Sequence, residues 1–395
     1  MNEDFFVEVD YQQKSYEGQR ICGDIFLFSK VKEENRIVAV LSDGMGHGVK
    51  ASILATLTAT MAVNFTKEHK EPEKTAEIIM KTLPECSDRK MNYSTFTIID
   101  IEQSNKVTIL EYDNPDCIII RDRKIFKPAD NKTIKLDSDT NCSKIIRVCT
   151  FTPLKGDRIL FCTDGITQSG LGTPRFPFGW GSDNVGRFAI DIVKQYPQIS
   201  ARNLAGKVLN MAYRNDGFQS KDDSTCGVIY FREPRELLIC TGPPYNKEDD
   251  VTLAAEVRDF KGKKIVMGAT TGDIISRELN LKIEDVFKFE DPDLPPINEM
   301  EGIDLFTEGI LTLNKVEKIL KAYNPNTKLG RGPADEIVKL ILESDSIDII
   351  IGTRINIAHQ DPHLPVELEI RRTVVNRIAQ LLEEKLLKKV VVKYI

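Results

Sequence analysis

The chain has 395 residues, 54 Lys and Arg against 60 Asp and Glu, a formal net charge of −6, and 41% hydrophobic residues. At roughly 100–200 residues per domain that is material for two cores, and the acidic balance excludes nucleic acid as the main partner, because phosphate backbones demand a basic face. Met1-Asn2-Glu3-Asp4 lacks the basic-then-apolar pattern of a secretory leader, and no apolar run approaches the ~20 residues that span a bilayer, so a cytoplasmic protein with no membrane partner is expected.

In chain order, Ile25–Phe28 and Ile37–Leu41 read as strands around the polar turn Lys32–Asn35. The glycines Gly44, Gly46 and Gly48 follow. A helix is predicted from Val49 to Phe65, with Ile53, Leu54, Leu57, Met61 and Phe65 at helical spacing, and a second from Glu73 to Thr82, opened by Pro72. From Ser94 to Thr152 the period changes to strands: Phe96–Ile99, Val107–Leu110, and a hairpin of Cys117–Ile120 with Arg123–Phe126. Arg158–Cys162 is a further apolar strand, ending at Thr163-Asp164-Gly165. Helices near Val185–Tyr196 and Ala201–Arg214 and the strand Thr225–Phe231 complete an α+β half.

After Arg232-Glu233-Pro234-Arg235, strands and helices alternate. The strands are Leu237–Cys240, Lys264–Met267, Val286–Phe289, Ile347–Ile351 and Lys389–Tyr394. The helices lie near Glu248–Asp259, Ile274–Leu281, Leu313–Ala322, Pro333–Leu342 and Pro365–Leu387. Such alternation predicts an open α/β domain with a largely parallel sheet, and the expected domains are 1–234 and 235–395. The eight cysteines, Cys22, Cys86, Cys117, Cys142, Cys149, Cys162, Cys226 and Cys240, stand singly with no Cys-x-x-Cys pair, as reduced core side chains do in a cytosolic protein.

The chemistry is carried by four aspartates at strand ends: Asp24, Asp43, Asp164 and Asp223. One aspartate beside glycine is commonly a turn residue. Four of them, each abutting an apolar strand, point to a shared metal site, because carboxylates gathered at a core edge repel one another unless cations neutralise them. Ligands made only of oxygen select hard cations, Mn²⁺ or Mg²⁺.

Gly23-Asp24, then Leu41-Ser42-Asp43-Gly44-Met45-Gly46-His47-Gly48-x-x-Ala51-Ser52, then Phe161-Cys162-Thr163-Asp164-Gly165-Ile166-Thr167, then Asp222-Asp223-Ser224-Thr225 resemble, in order, the signatures of a known family. It is that of the metal-dependent serine/threonine phosphatases of protein phosphatase 2C type, in the branch of bacterial stage II sporulation protein E and the stress-response phosphatases. The resemblance covers about residues 15–232. It implies an α-β-β-α sandwich of two antiparallel sheets with a two-metal centre at one end. Asp43 would bridge both ions, Asp164 and Asp223 would complete one site, the Gly44 carbonyl would serve the other, and Asp24 would help directly or through water. It implies hydrolysis of phosphoserine or phosphothreonine on a protein in bacterial signalling, with an anti-sigma-factor antagonist as a representative substrate. Two cations about 3.5–4 Å apart fit that chemistry, since they activate a bridging water and neutralise phosphoryl charge. The alternative is a non-catalytic adaptor that binds phosphorylated partners; the presence of all four aspartates speaks against it.

Other residues carry weaker signals. His47 is a candidate general acid or a histidine fixing its loop; other branches place a histidine two residues after the aspartate, where this chain has Met45. Arg20 is a candidate phosphate contact or a solvated arginine. The helices 49–66 and 73–83 are expected to couple regulation to the metals, since the corresponding pair shifts in the sporulation branch. In the second half, Cys240-Thr-Gly-Pro-Pro244 and Gly268-Ala-Thr-Thr-Gly-Asp273 are ligand-binding or simple turns, and match no nucleotide fingerprint. His359 and His363 offer metal-ligand types in a loop. Pro365–Leu387 reads as core or a homodimer face. The domain as a whole is expected to be regulatory or docking, with an unknown ligand.

Overall fold

The computed structural model describes residues 5–31, 34, 36–68, 72–82, 94–136, 144–284, 290–324, 327–354, 364–386 and 388–395. Val286–Phe289, His359, His363, Cys86 and Cys142 lie outside them. The chain divides into two compact units, Met1–Glu233 and Pro234–Ile395.

The first unit contains β1 (Phe6–Lys14), β2 (Asp24–Val31), β3 (Arg36–Gly44), α1 (Val49–Lys67), α2 (Pro72–Thr82), β4 (Ser94–Ile101), β5 (Val107–Tyr112), β6 (Ile118–Arg121), β7 (Lys124–Phe126), β8 (Asp130–Leu136), β9 (Lys144–Phe151), β10 (Arg158–Cys162), α3 (Asp164–Thr167), α4 (Ser182–Gln195), α5 (Ala201–Asn215) and β11 (Ser224–Arg232). Two antiparallel sheets result, β1-β11-β10-β6-β7 and β2-β3-β4-β5-β9-β8. Their inner faces meet through Ile37, Ala39 and Leu41 of β3 and Ile159, Phe161, Ile229 and Phe231 of β10 and β11. The alternate residues face outward: Val38 and Val40 toward α1 and α2, and Leu160, Cys162 and Val228 toward α4 and α5. Strands covered on both sides read as continuous apolar runs, which is why the central ones were visible in the sequence.

α1 corrects a reading of its pattern. Ile53 and Leu57, which recur at helical spacing, are 61% and 45% exposed. The buried face is Ala51, Ala55, Thr58, Ala59, Ala62, Val63 and Thr66. The helix lies so close on the sheet that a Cβ on Gly44 would stand 2.0 Å from the Ala51 carbonyl oxygen. Only small side chains fit beneath it.

The second unit contains β12 (Glu236–Thr241), α6 (Asp250–Asp259), β13 (Lys263–Met267), α7 (Ala269–Leu279), β14 (Ile283–Glu284), β15 (Asn298–Met300), β16 (Ile303–Thr307), α8 (Ile310–Ala322), α9 (Pro333–Glu343), β17 (Ser346–Ile351), α10 (Leu364–Glu384) and β18 (Lys389–Tyr394). One sheet of order β14-β15-β16-β13-β12-β17-β18 forms. The five strands from β16 to β18 are parallel, and β14 and β15 pair antiparallel at one edge. The parallel strands follow the doubly wound pattern, with the first strand, β12, in the middle and the order reversing beside it. α10 buries Val374, Val375, Ile378 and Leu382 in the unit's own core. α7 begins at Ala269, so Ala269–Asp273, read from its glycine and threonines as a turn, forms the first turn of that helix after the Gly268 cap. No described helix is long and apolar enough to cross a membrane.

Candidate metal centre

Pairing in the β2–β3 ladder sets Asp24 opposite Asp43. In the facing sheet Cys162 of β10 pairs with Cys226 of β11, so Thr163-Asp164 and Asp222-Asp223 leave the same end. Two glycines let these stretches touch. A Cβ on Gly23 would stand 2.7 Å from Asp223 Oδ2, and one on Gly165 would stand 2.2 Å from the Asp223 carbonyl oxygen.

The carboxyls feel one another strongly. Burial pushes Asp43 well above the ordinary carboxylate range, and the charges of Asp24, Asp164, Asp222 and Asp223 add to that push. Burial raises Asp164 as well, and Asp43 in part offsets that rise. Asp24 is pushed up to about 7, chiefly by burial, against the opposing hydrogen bonds from Thr225 and Thr163. Asp222 rises to about 6 through burial and the Asp164 charge. The physical cause is shared: like charges gathered in a poorly solvated place.

Internal donors hold parts of the cluster. Thr163 and Thr225 hydroxyls donate to Asp24 Oδ2 at 2.9 and 2.7 Å. The Tyr16 N–H donates to Asp223 Oδ1 at 2.9 Å, and Gln168 Nε2 to Asp164 Oδ2 at 2.7 Å. Ser94 Oγ donates to the Asp43 carbonyl at 2.8 Å. Two buried oxygens, Asp24 Oδ1 and Asp223 Oδ2, have no hydrogen-bond partner. Orphaned anionic oxygens in an all-oxygen donor set fit a hard divalent cation. Among the described residues no group of three His, Cys, Asp or Glu side chains is arranged to hold a metal ion. The acids gather at one end of the sandwich with several of their oxygens turned toward protein donors, Thr163, Thr225, Tyr16 and Gln168.

His47 is exposed, and its ring stacks on Tyr16, with centroids 4.5 Å apart and planes 9° apart; its charge favours ionised Asp222. Gly46 and Gly48 have φ of 90° and 74°, a backbone that suits glycine, and Gly48 caps α1 without any side-chain bond. Arg20 is exposed. Sequence reasoning did not single out Asp222, Thr163, Thr225 or Tyr16. The first three lie inside the quoted motifs; nothing in the sequence marks Tyr16.

Residues 33–232 match the family model described as Stage II sporulation protein E (SpoIIE). The chain is similar to the phosphatase domain of the cell fate determinant SpoIIE from Bacillus subtilis, with 15% identity, 59% of this chain and 95% of that one covered, and a TM-score of 0.44. It is similar to the RsbU and RsbW domains of a Mycobacterium tuberculosis protein, with 17% identity, coverage of 65% and 68%, and a TM-score of 0.46. It is also similar to RsbX in complex with magnesium, with 17% identity, coverage of 58% and 97%, and a TM-score of 0.40. No curated protein matches the chain.

Proposed function

This chain belongs to the stage II sporulation protein E family, and from that premise we propose that it hydrolyses phosphoserine or phosphothreonine on a protein substrate, by water activated at divalent cations. The observation that carries the reading is the convergence of Asp24, Asp43, Asp164 and Asp223 on one end of the sandwich, with two buried oxygens left over. Those four carboxylates and the Gly44 carbonyl would hold Mn²⁺ or Mg²⁺. Two such ions supply an activated water and offset charge on the phosphoryl oxygens.

The chain's own residues do the rest. Asp43, held well above the ordinary carboxylate range by burial and by the neighbouring acids, would ionise as cations enter the centre of the cluster. The first turn of α1, opened by Gly48, offers backbone amides to a phosphoryl anion. His47, solvent-facing beside Asp222, is the proposed proton donor to the leaving oxygen. The substrate is a small phosphoprotein of bacterial signalling, of the anti-sigma-factor-antagonist class, met in the cytoplasm. Residues 235–395 form a regulatory or docking domain.

The experiment is hydrolysis of p-nitrophenyl phosphate and a phosphoserine peptide with added Mn²⁺, using Asp43→Asn and Asp164→Asn as controls. Removal of either carboxylate, or of metal by chelation, is expected to abolish turnover of both. Activity that outlasts both substitutions overturns the metal mechanism.

A further inference from the structure

Asp24 is tied across the sandwich by two hydroxyls. Thr163 and Thr225 are neighbours at the end of the β10–β11 ladder: the Thr163 N–H donates to the Thr225 carbonyl at 3.1 Å, and the Thr225 N–H donates to Thr163 Oγ1 at 3.0 Å. Both hydroxyls then donate to the same oxygen, Oδ2, of an aspartate in the other sheet. All three residues are 0% exposed.

A buried carboxylate needs donors, and two oxygens with about four lone-pair sites can accept them anywhere. Donors serving only to satisfy the charge gain most when spread over both oxygens. Here both fall on Oδ2, and Oδ1 is buried with none. Two bonds on one oxygen fix the rotation of the carboxylate and decide where the other oxygen points. Asp223 repeats the pattern, with Oδ1 held by the Tyr16 N–H and Oδ2 without a partner. Asp24 lies opposite Asp43 in the β2–β3 ladder, and a Cβ on the preceding Gly23 would stand 2.7 Å from Asp223 Oδ2, so its carboxylate shares their surroundings.

We propose that Thr163 and Thr225 are positioning residues of the cation site: they lock Asp24 through Oδ2 and so present Oδ1 to a divalent cation. This rests on the metal-dependent reading above. It also assigns each threonine of the Thr-Asp-Gly and Asp-Asp-Ser-Thr motifs a task separate from that of its neighbouring aspartate.

The test is calorimetric titration of the full chain with Mn²⁺, comparing Thr163→Val and Thr225→Val with Thr163→Ser and Thr225→Ser. Each valine variant is expected to bind Mn²⁺ about 10–100-fold more weakly, the loss typical of outer partners of a metal ligand. Each serine variant, which keeps the hydroxyl, is expected to restore affinity to within the same decade. Melting in chelator checks the fold; if a valine variant does not fold, the alanine variant at that position is read the same way. Mn²⁺ affinity unchanged by losing the hydroxyl, or not rescued by serine, overturns the proposal. A wild-type chain that binds no Mn²⁺ overturns the functional reading beneath it.

Discussion

At the scale of single residues, the carboxylate cluster makes stability depend on pH in an unusual direction. Asp24 and Asp222 rise from an ordinary 3.8 to about 7 and about 6. The folded, metal-free protein therefore binds more protons than the unfolded chain between about pH 4 and 7, and this contribution to stability is present at low pH and lost as pH rises through the folded values. In chelator the melting temperature is expected to fall across that window, and less steeply in an Asp24→Asn, Asp222→Asn double variant. Mn²⁺ is expected to raise it most at the alkaline end. Identical slopes in the two proteins count against the shared charge. His47 permits a second test. As a general acid it matters for a serine leaving group and little for p-nitrophenolate, so His47→Ala is expected to cost about a hundredfold on a phosphoserine peptide and much less on p-nitrophenyl phosphate. Equal losses assign it instead to holding Tyr16. The aspartates were legible because each stands at the end of an apolar strand, three of them beside glycine. The donors that aim Asp24 were not, because its hydroxyl partners lie 139 and 201 positions away in sequence.

At the scale of elements, the sandwich depends on tight approaches that a pattern of apolar residues does not reveal. A Cβ on Gly227 of β11 would stand 2.3 Å from the Phe161 ring. Gly227→Ala is expected to cost about 1–3 kcal/mol by overpacking the inner layer, measured by denaturant unfolding at fixed Mn²⁺. A change smaller than the error of that measurement would show that Phe161 has room to move. Central strands such as β3 and β10 were readable because both faces are buried. β1 passed unnoticed because it is an edge strand of mixed polarity, with most of its residues half-buried. β14 to β16 are two to five residues long, too short for periodicity to register. On α1, alanines mark the buried face, and the large apolar residues Val49, Ile53 and Leu57 point outward.

At the scale of the molecule, two units with separate cores share one chain. If residues 235–395 regulate the phosphatase, a chain ending at Glu233 is expected to differ from the full chain in Mn²⁺ affinity or in turnover of p-nitrophenyl phosphate. Identical values in both assays would remove the regulatory role and leave docking. The ladder that closes the first unit has a further consequence. β1 pairs with β11 from Phe6↔Arg232 to Lys14↔Ser224, so the first strand of this unit to be synthesised must wait for its last. At about 5–20 residues per second, that delay is of the order of ten seconds or more, during which β1 awaits its partner. Asp223 arrives with that final strand. The four aspartates therefore come together only once β11 closes its sheet.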